Sequence, residues 1–295
     1  MLAVTFALVA ALSYGVSDFY GAVATKRLGA TTANFLGYGV GVVVIGLGAL
    51  FVPGAWSMDA ALFGGIAGVA VALGFLAFYK AMAQGPVSII APLIAVLYAA
   101  VPVGWSVARG SELSATAWWG IGLGIIAVLA LSIAPKGGAE SDEERAVEVA
   151  EGRGQGVTGG SLVLGVVAAL AMGAASVSLD YAPKDSGINS ALVESAVAVV
   201  VLGLVFAFTK RPVSSEPIKP ALITAAGAGA LQGVANATFV LALMYGELAL
   251  VGVLVALYPL ATILLARVVL KEHVSRIQWA GVGIALVAAI LLGSA

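Results

Sequence analysis

Ten long apolar segments follow one another along the chain, separated by charged residues, glycine or proline. Each is close to the roughly 20 residues that a helix needs to cross the hydrocarbon of a bilayer. Because most linkers are short, we expect neighbouring segments to pack as antiparallel hairpins. The predicted transmembrane helices are 2–24, 31–52, 60–83, 86–107, 115–134, 161–182, 187–208, 219–244, 248–269 and 275–293.

The composition agrees with a chain embedded in lipid. Of its 295 residues, 61% are hydrophobic and only 10% are charged, whereas a soluble domain carries about 25% charged residues. No basic region precedes the first apolar segment, so we expect that segment to be a permanent span rather than a cleavable signal. The chain is therefore predicted to be an all-α, polytopic protein of the cell inner membrane, with the lipid bilayer as its surroundings.

Several functional classes are disfavoured by the residues that the sequence lacks. It has no cysteine, and its single histidine, His273, lies among charged residues outside the predicted spans. We therefore expect no metal, no cofactor and no catalytic nucleophile–base pair. No phosphate-binding loop for ATP is present, and the net charge of −1 argues against nucleic acid as a partner.

One hydrophilic, acidic segment divides the chain into two sets of five spans. Residues 1–134 form the first set, 135–160 are interpreted as a tether, and 161–295 form the second set. If the linkers are numbered in chain order, the odd ones and the adjoining helix ends hold twelve Lys and Arg residues, and the even ones hold only Arg109 and Lys184. The positive-inside rule then predicts cytoplasmic odd linkers and periplasmic termini.

The two halves resemble each other at a spacing of about 160 residues. The matches in consistent order are Tyr98 with Tyr258, Glu112 with Glu272, and Trp118 with Trp279. Because five is an odd number of spans, the second half must enter the membrane upside down. Inverted repeats of this kind place a binding site near the midplane, between the halves. The expected architecture is two inverted five-helix repeats around a central cavity.

Glycines recur at four-residue spacing within four of the predicted spans. The pairs are Gly37/Gly41, Gly64/Gly68, Gly120/Gly124 and Gly229/Gly233. Small residues at this spacing let helix backbones approach closely in lipid. We expect these pairs at helix contacts, although glycine is also simply common in membrane helices.

Short motifs in both halves are characteristic of one group of transporters. They are Ala11-Leu12-Ser13-Tyr14-Gly15, Tyr79-Lys80-Ala81-Met82, Gly85-Pro86, and the glutamates Glu112 and Glu272. Together with the five-plus-five organisation, they resemble the EamA family of the drug/metabolite transporter superfamily, and most of all its bacterial exporters of aromatic and other amino acids. The resemblance implies a helical bundle with a central cavity, and substrates among amino acids, other metabolites or drugs. Tyr14 stands where a tryptophan is usual in that family.

Polar and aromatic side chains within the spans mark the expected substrate site, because a charge at the membrane centre costs about 2.5–3.5 kcal/mol. The candidates are Tyr14, Asp18, Tyr79, Lys80, Tyr98, Glu194, Gln232, Asn236 and Tyr258. A carboxylate would bind the ammonium group of an amino acid, Lys80 its carboxylate, and the tyrosine rings its side chain. Structural roles stay open: Lys80 could extend to the interface, the carboxylates could pair with other groups, the amides could join helices, and the tyrosines could pack.

Three prolines lie within the fourth and ninth predicted spans, namely Pro92, Pro102 and Pro259. Each removes a backbone donor and bends its helix. The freed carbonyls could line a cavity or take part in gating.

The leading hypothesis is a secondary transporter, expected to act as a monomer, that exports small molecules by alternating access. Its substrates would be amino acids, aromatic and other, or similar small metabolites. The alternative is an exporter of cationic drugs such as quaternary ammonium compounds, which would need the carboxylates and rings but not Lys80. Asp18 or Glu194 could carry a coupling proton. A passive channel is a further possibility, less suited to inverted repeats.

Overall fold

The computed structural model describes residues 1–84, 87–132, 158–208, 219–258, 260–261, 264–265, 268 and 275–293. Its named elements are α1 Leu2–Leu28, α2 Ala30–Gly48, α3 Met58–Gln84, α4 Val87–Ala108, α5 Ala115–Ser132, α6 Gly159–Asp180, the 3₁₀ helix η1 Lys184–Ser186, α7 Asn189–Phe208, α8 Lys219–Tyr245, α9 Leu248–Val255 and α10 Arg276–Gly293. Within the described residues there is no strand. The predicted all-α fold of ten helices is confirmed. Residues 135–157, which are most of the predicted tether 135–160, lie outside these residues.

Several helices are capped at their N-terminus by a side-chain hydroxyl. The side chains of Ser57, Ser114, Thr158 and Ser275 each accept a hydrogen bond from the amide three residues later, at 3.0–3.2 Å. Such caps satisfy amides that have no partner within the helix. These residues therefore fix where α3, α5, α6 and α10 start.

Six of the described helices are long and apolar enough to cross a membrane: α1, α2, α3, α6, α7 and α8. Shorter apolar helical stretches occur at Ile94–Ala108, Ala115–Ala130 and Arg276–Leu292. The fold is that of a polytopic membrane protein, as predicted.

Nine predicted spans agree with a helix to within about four residues at each end, and the ninth does not. Here α9 ends at Val255. In the turn that follows, backbone amides bond to the carbonyl three residues earlier instead of four, as Tyr258 N–H does to the Val255 carbonyl at 3.0 Å. The residue before a proline is disfavoured in α-helical conformation, which explains a break directly before Pro259. The single helix predicted for 248–269 is therefore wrong. Pro259 itself lies outside the described residues.

The prolines of α4 do not break their helix, in contrast to the break before Pro259. The helix runs without a break from Val87 to Ala108, through both Pro92 and Pro102, so neither proline ends it. A proline removes only one backbone bond of the helix, and the neighbouring bonds are sufficient to keep α4 helical. A bend or a gating role at Pro92, Pro102 and Pro259 stays a prediction.

The helices of the two halves interleave. By position in each half, α1 to α5 correspond to α6 to α10. The contact of α1 with α8 then corresponds to that of α6 with α3, and the contact of α2 with α8 to that of α7 with α3. In the same way, α4 contacts α6 as α9 contacts α1. The pairs α5–α10, α4–α9 and α2–α7 join equivalent helices. Exchanging the first five helices with the last five leaves these pairings unchanged. Such pairing is what an internal repeat of residues 1–134 and 161–295 would produce, and the opposite insertion of the two halves remains a prediction.

Two of the glycine pairs meet each other where α2 crosses α8. A methyl group added at Gly229 would lie 2.3 Å from the carbonyl oxygen of Gly37, and one at Gly233 would lie 2.7 Å from that of Gly41. Only glycine permits this approach. The other pairs also lie at contacts: Gly64 and Gly68 against the backbone of α7, Gly120 against Leu292, and Gly124 against Val253. The prediction is confirmed for all four.

One end of the bundle is formed by linkers 49–57, 109–114, 181–188 and 246–247, which we call the even-linker face. Contacts between the halves join these linkers: the Ala55 amide bonds to the Asp185 carbonyl at 2.8 Å, Asn189 to the Gly54 carbonyl at 3.1 Å, and Ser111 to Glu247 at 3.4 Å. α1 begins at this face, because Phe6 stacks on Tyr245. The two halves are therefore tied together at the even-linker face.

Candidate functional site

A chain of hydrogen bonds crosses the bundle from one half to the other. The Tyr14 hydroxyl on α1 donates to the Asn236 side-chain oxygen on α8 at 2.8 Å. The Asn236 amide group in turn donates to the Ser195 hydroxyl at 3.0 Å and to the Glu194 carboxylate, both on α7. Three predicted site residues, Tyr14, Glu194 and Asn236, are thus directly connected.

The packing of α1 on α8 sets this geometry. One turn along α1 from Tyr14, the Ser17 hydroxyl donates to the Ala228 carbonyl at 2.8 Å and lies 3.5 Å from the Gln232 side-chain oxygen. Gln232 is one turn from Asn236, so both amides lie on the same face of α8. Gln232 therefore extends the polar contact between α1 and α8.

Two further tyrosines and an aspartate lie near this chain of bonds. Tyr98 on α4 shares a 3.2 Å hydrogen bond with Ser176 on α6. Tyr14 lies within electrostatic range of Asp18, Tyr98 and Glu194. Tyr258, in the break after α9, lies within the same range of Asp18 and Tyr98. We call Tyr14, Asp18, Tyr98, Glu194, Asn236 and Tyr258 the central cluster.

The two carboxylates of the central cluster differ in their surroundings. Glu194 is only 3% exposed and lies behind Asn236, which is equally buried. Asp18 is exposed, on the part of α1 that is nearer Leu28 than the even-linker face. Asp18 is therefore the exposed carboxylate of the cluster, and Glu194 is the buried one.

The structure does not bring Lys80 or Pro102 into this cluster. Lys80 is exposed, about three helical turns along α3 from Gly68, which contacts the Glu194 backbone. None of the described contacts joins Lys80 to the cluster, so the predicted cation for a bound carboxylate is not found there. The side chains of Tyr79 and Pro92 lie outside the described residues. Pro102 is buried where α4 meets α9, 2.8 Å from the position of a methyl group added at Gly252.

Sequence reasoning missed the hydroxyls that complete the cluster: Ser17, Ser176 and Ser195. Each is buried, but serine is frequent in membrane helices and these positions form no motif. The only signal was adjacency, because Ser17 precedes Asp18 and Ser195 follows Glu194. In the described ranges, no three His, Asp or Glu side chains lie close enough together to bind a metal ion.

The fold of the chain is also found in solved structures. One crystal structure aligns with 98% of this chain and 95% of its own, with a TM-score of 0.72 and 15% sequence identity. At that identity the similarity shows the fold alone. No curated protein matches the chain.

A family model adds information about function. The model of the EamA-like transporter family matches residues 160–294, which include Glu194, Asn236 and Tyr258. This supports the predicted family resemblance in the second half of the chain, and it agrees with the expectation that the protein is not an enzyme. The amino acid exporter subtype stays a prediction. Residues 160–294 therefore match a family of membrane transporters of small metabolites, the EamA-like transporters.

Proposed function

We propose that the chain is a secondary transporter of the cell inner membrane that exports amino acids, aromatic and other, or similar small metabolites by alternating access. The observation that carries the proposal is the central cluster, in which α1 and α4 of the first half meet α7, α8 and Tyr258 of the second. A site shared between two halves can open to either side as they rock against each other.

The chemistry of the cluster suits a substrate with an ammonium group. Asp18 is an exposed carboxylate that can pair with a cation, and the rings of Tyr14 and Tyr258 near it attract cations through their faces. The amide group of Gln232 can donate hydrogen bonds to a carboxylate. The site thus offers a partner for each end of an amino acid.

One observation favours the alternative, an exporter of cationic drugs. Lys80 is not joined to the cluster by any described contact, and no other lysine or arginine among the described residues contacts it to balance a bound carboxylate. Two carboxylates and several rings without a cation suit a quaternary ammonium compound. The two proposals share Asp18 and differ in whether the substrate needs a carboxylate.

The arrangement of contacts supports one conformational assignment. Contacts between the halves join the linkers of the even-linker face, whereas the exposed Asp18 lies on the part of α1 that is nearer its opposite end. With the even linkers on the periplasmic side, this is a state open toward the cytoplasm. An exporter loads its substrate in such a state.

The proposal is tested by transport in proteoliposomes loaded with L-phenylalanine or with tetraphenylphosphonium. Asp18→Asn should lower exchange of the transported compound at least tenfold, because the substrate cation loses its partner. Asp59→Asn, at an exposed position in the first turn of α3, is the matched control and should exchange normally. Equal exchange by Asp18→Asn and the wild type would remove Asp18 from the site, and no exchange of either compound by the wild type would refute these substrate assignments.

A further inference from the structure

A small cavity lies beside the even-linker face, between η1, α7 and the ends of α6 and α8. Its volume is about 10 Å³, which is room for about one water molecule, and its lining includes Lys184, Ser186, Ser190, Val240 and Leu243. The side chains of Ser186 and Ser190 are fully buried, and their hydroxyls have no hydrogen-bond partner among the described residues. A buried hydroxyl without a partner is unfavourable, so these two groups indicate that water occupies the cavity.

This cavity is adjacent to the buried carboxylate of the central cluster. On α7, Ser190 is one turn before Glu194, and on α8, Val240 is one turn beyond Asn236. Glu194 and Asn236 are hydrogen-bonded to each other. The cavity is therefore about 5 Å from the Glu194–Asn236 pair on both helices, on the side of the even-linker face.

The neighbours of Glu194 are neutral. Among the described residues, Tyr14 from α1 and Tyr98 from α4 are the titratable side chains within electrostatic range of it. The only titratable residue of α2 is Tyr38, which lies near Tyr14. On α3, Lys80 is about three turns from Gly68, the residue opposite Glu194.

Apart from Asp18 at the edge of the cluster, the other described cations and acids are distant from Glu194 or bonded elsewhere. On α8, Lys219 is more than four turns from Asn236. Beyond the cavity, Lys184 bonds to Asp180 and to the Leu243 carbonyl, and Asp185 bonds through its backbone to Ala55. A buried carboxylate without a cation is far less stable than the neutral acid, so Glu194 is suited to hold a proton.

We infer that Glu194 is a proton-binding site, that water in the cavity lined by Ser186 and Ser190 connects it with the even-linker face, and that Asp18 is reserved for the cation of the substrate. This inference rests on the proposed function and adds the coupling ion to it. A hydronium ion that enters through the cavity transfers its proton to a Glu194 carboxylate oxygen and leaves water behind. Asn236 bonds to both Glu194 and Tyr14, so the protonation of Glu194 changes a hydrogen-bond chain that reaches the substrate side of the cluster.

The test compares proton movement with substrate exchange in the same proteoliposomes. A pH-sensitive dye inside the vesicles records protons, and radiolabelled L-phenylalanine or tetraphenylphosphonium records exchange. In the wild type, an imposed pH gradient should drive uphill substrate movement, with opposite proton flux. Glu194→Gln should lower the ratio of proton flux to exchange at least tenfold, and Ser190→Ala severalfold. Ser106→Ala, a buried serine of α4 outside the cavity, is the matched control and should keep the wild-type ratio.

The outcomes separate this inference from the proposed function. Exchange by the wild type without any proton flux overturns the inference and leaves the transporter proposal intact. An unchanged ratio in Glu194→Gln also overturns it. If that variant fails to fold, Ser190→Ala decides, because a ratio equal to that of Ser106→Ala excludes the cavity as the proton path. Absence of exchange of either compound in the wild type refutes the substrate assignments, and with them the inference that rests on them.

Discussion

The Arg109 guanidinium bonds to the Asp180 carboxylate at 2.9 Å and joins the end of α4 to the end of α6. Arg109 also lies over the Tyr181 ring, 4.8 Å from its centre. Lys184 approaches the same carboxylate at 3.2 Å, so both basic residues that the sequence places in even-numbered linkers converge on Asp180. Because Arg109 and Asp180 belong to different halves, this ion pair must separate if the even-linker face opens.

Removal of this ion pair should favour opening of the even-linker face. Arg109 is half-exposed, so the pair contributes at most about 1 kcal/mol, which corresponds to about a fivefold change in population. We expect Arg109→Gln to make a cysteine at the buried position Val240 react severalfold faster with a maleimide. The chain has no cysteine of its own, so the label reports a single site. Arg276→Gln, which changes an exposed arginine at the start of α10, is the control. Equal labelling rates in both variants would contradict a role of the Arg109–Asp180 ion pair in keeping the even-linker face closed.

The hydroxyl of Tyr14 should contribute to stability as well as to the site. Tyr14→Phe removes its donation to Asn236 and leaves an amide oxygen unsatisfied, which costs about 1–3 kcal/mol when the group is buried. We expect a lower thermal unfolding temperature in detergent and weaker substrate binding. Tyr20→Phe on the same helix, at an exposed position, should change neither. If both variants unfold like the wild type, the hydrogen bond has no energetic role.

The crossing of α2 and α8 should not tolerate a methyl group. In Gly229→Ala the new methyl would lie 2.3 Å from the Gly37 carbonyl oxygen, and backbone cannot easily move away. Overpacking of this kind costs about 1–3 kcal/mol, measurable as a lower unfolding temperature. Gly227→Ala, two residues earlier on α8, adds a methyl group with no atom within 4 Å, and so separates steric overlap from altered helix propensity. Equal unfolding temperatures of Gly229→Ala and Gly227→Ala would show that α2 and α8 can move apart without loss of stability.

The helices were predictable because lipid imposes a simple rule of length and polarity on every span. The exception, α9, shows what that rule omits: hydropathy continues across Tyr258 and Pro259, whereas backbone geometry ends the helix at Val255. The glycine contacts were also predictable, because four-residue spacing marks one face of a helix.

The central cluster was predictable only as a set of unusual side chains. Asp18 and Glu194 were equivalent in the sequence, and only packing distinguishes the exposed carboxylate from the buried one. Lys80 was placed in the site because it is charged and within a predicted span, but its position near the end of α3 leaves it exposed. The cavity at Ser186 and Ser190 had no sequence signal, since it forms where linkers of different helices meet.

The orientation of the chain can be measured with single cysteines. Ser111→Cys lies in an even-numbered linker and Lys219→Cys at the start of α8, beside an odd-numbered one. With a periplasmic even-linker face, a membrane-impermeant maleimide should label Ser111→Cys in intact cells and Lys219→Cys only after the membrane is permeabilised. The opposite pattern would reverse the orientation, and with it the assignment of a state open toward the cytoplasm.

The role of Lys80 separates the two substrate classes. If an amino acid carboxylate pairs with Lys80 in a state not seen here, Lys80→Ala should weaken L-phenylalanine exchange at least tenfold and leave tetraphenylphosphonium exchange unchanged. The structure favours the other result, because Lys80 is exposed and none of the described contacts connects it with the central cluster. We therefore expect less than a twofold effect on either compound. Lys219→Ala, at another exposed helix end, controls for loss of interfacial charge, and a selective loss of phenylalanine exchange in Lys80→Ala alone would return Lys80 to the site.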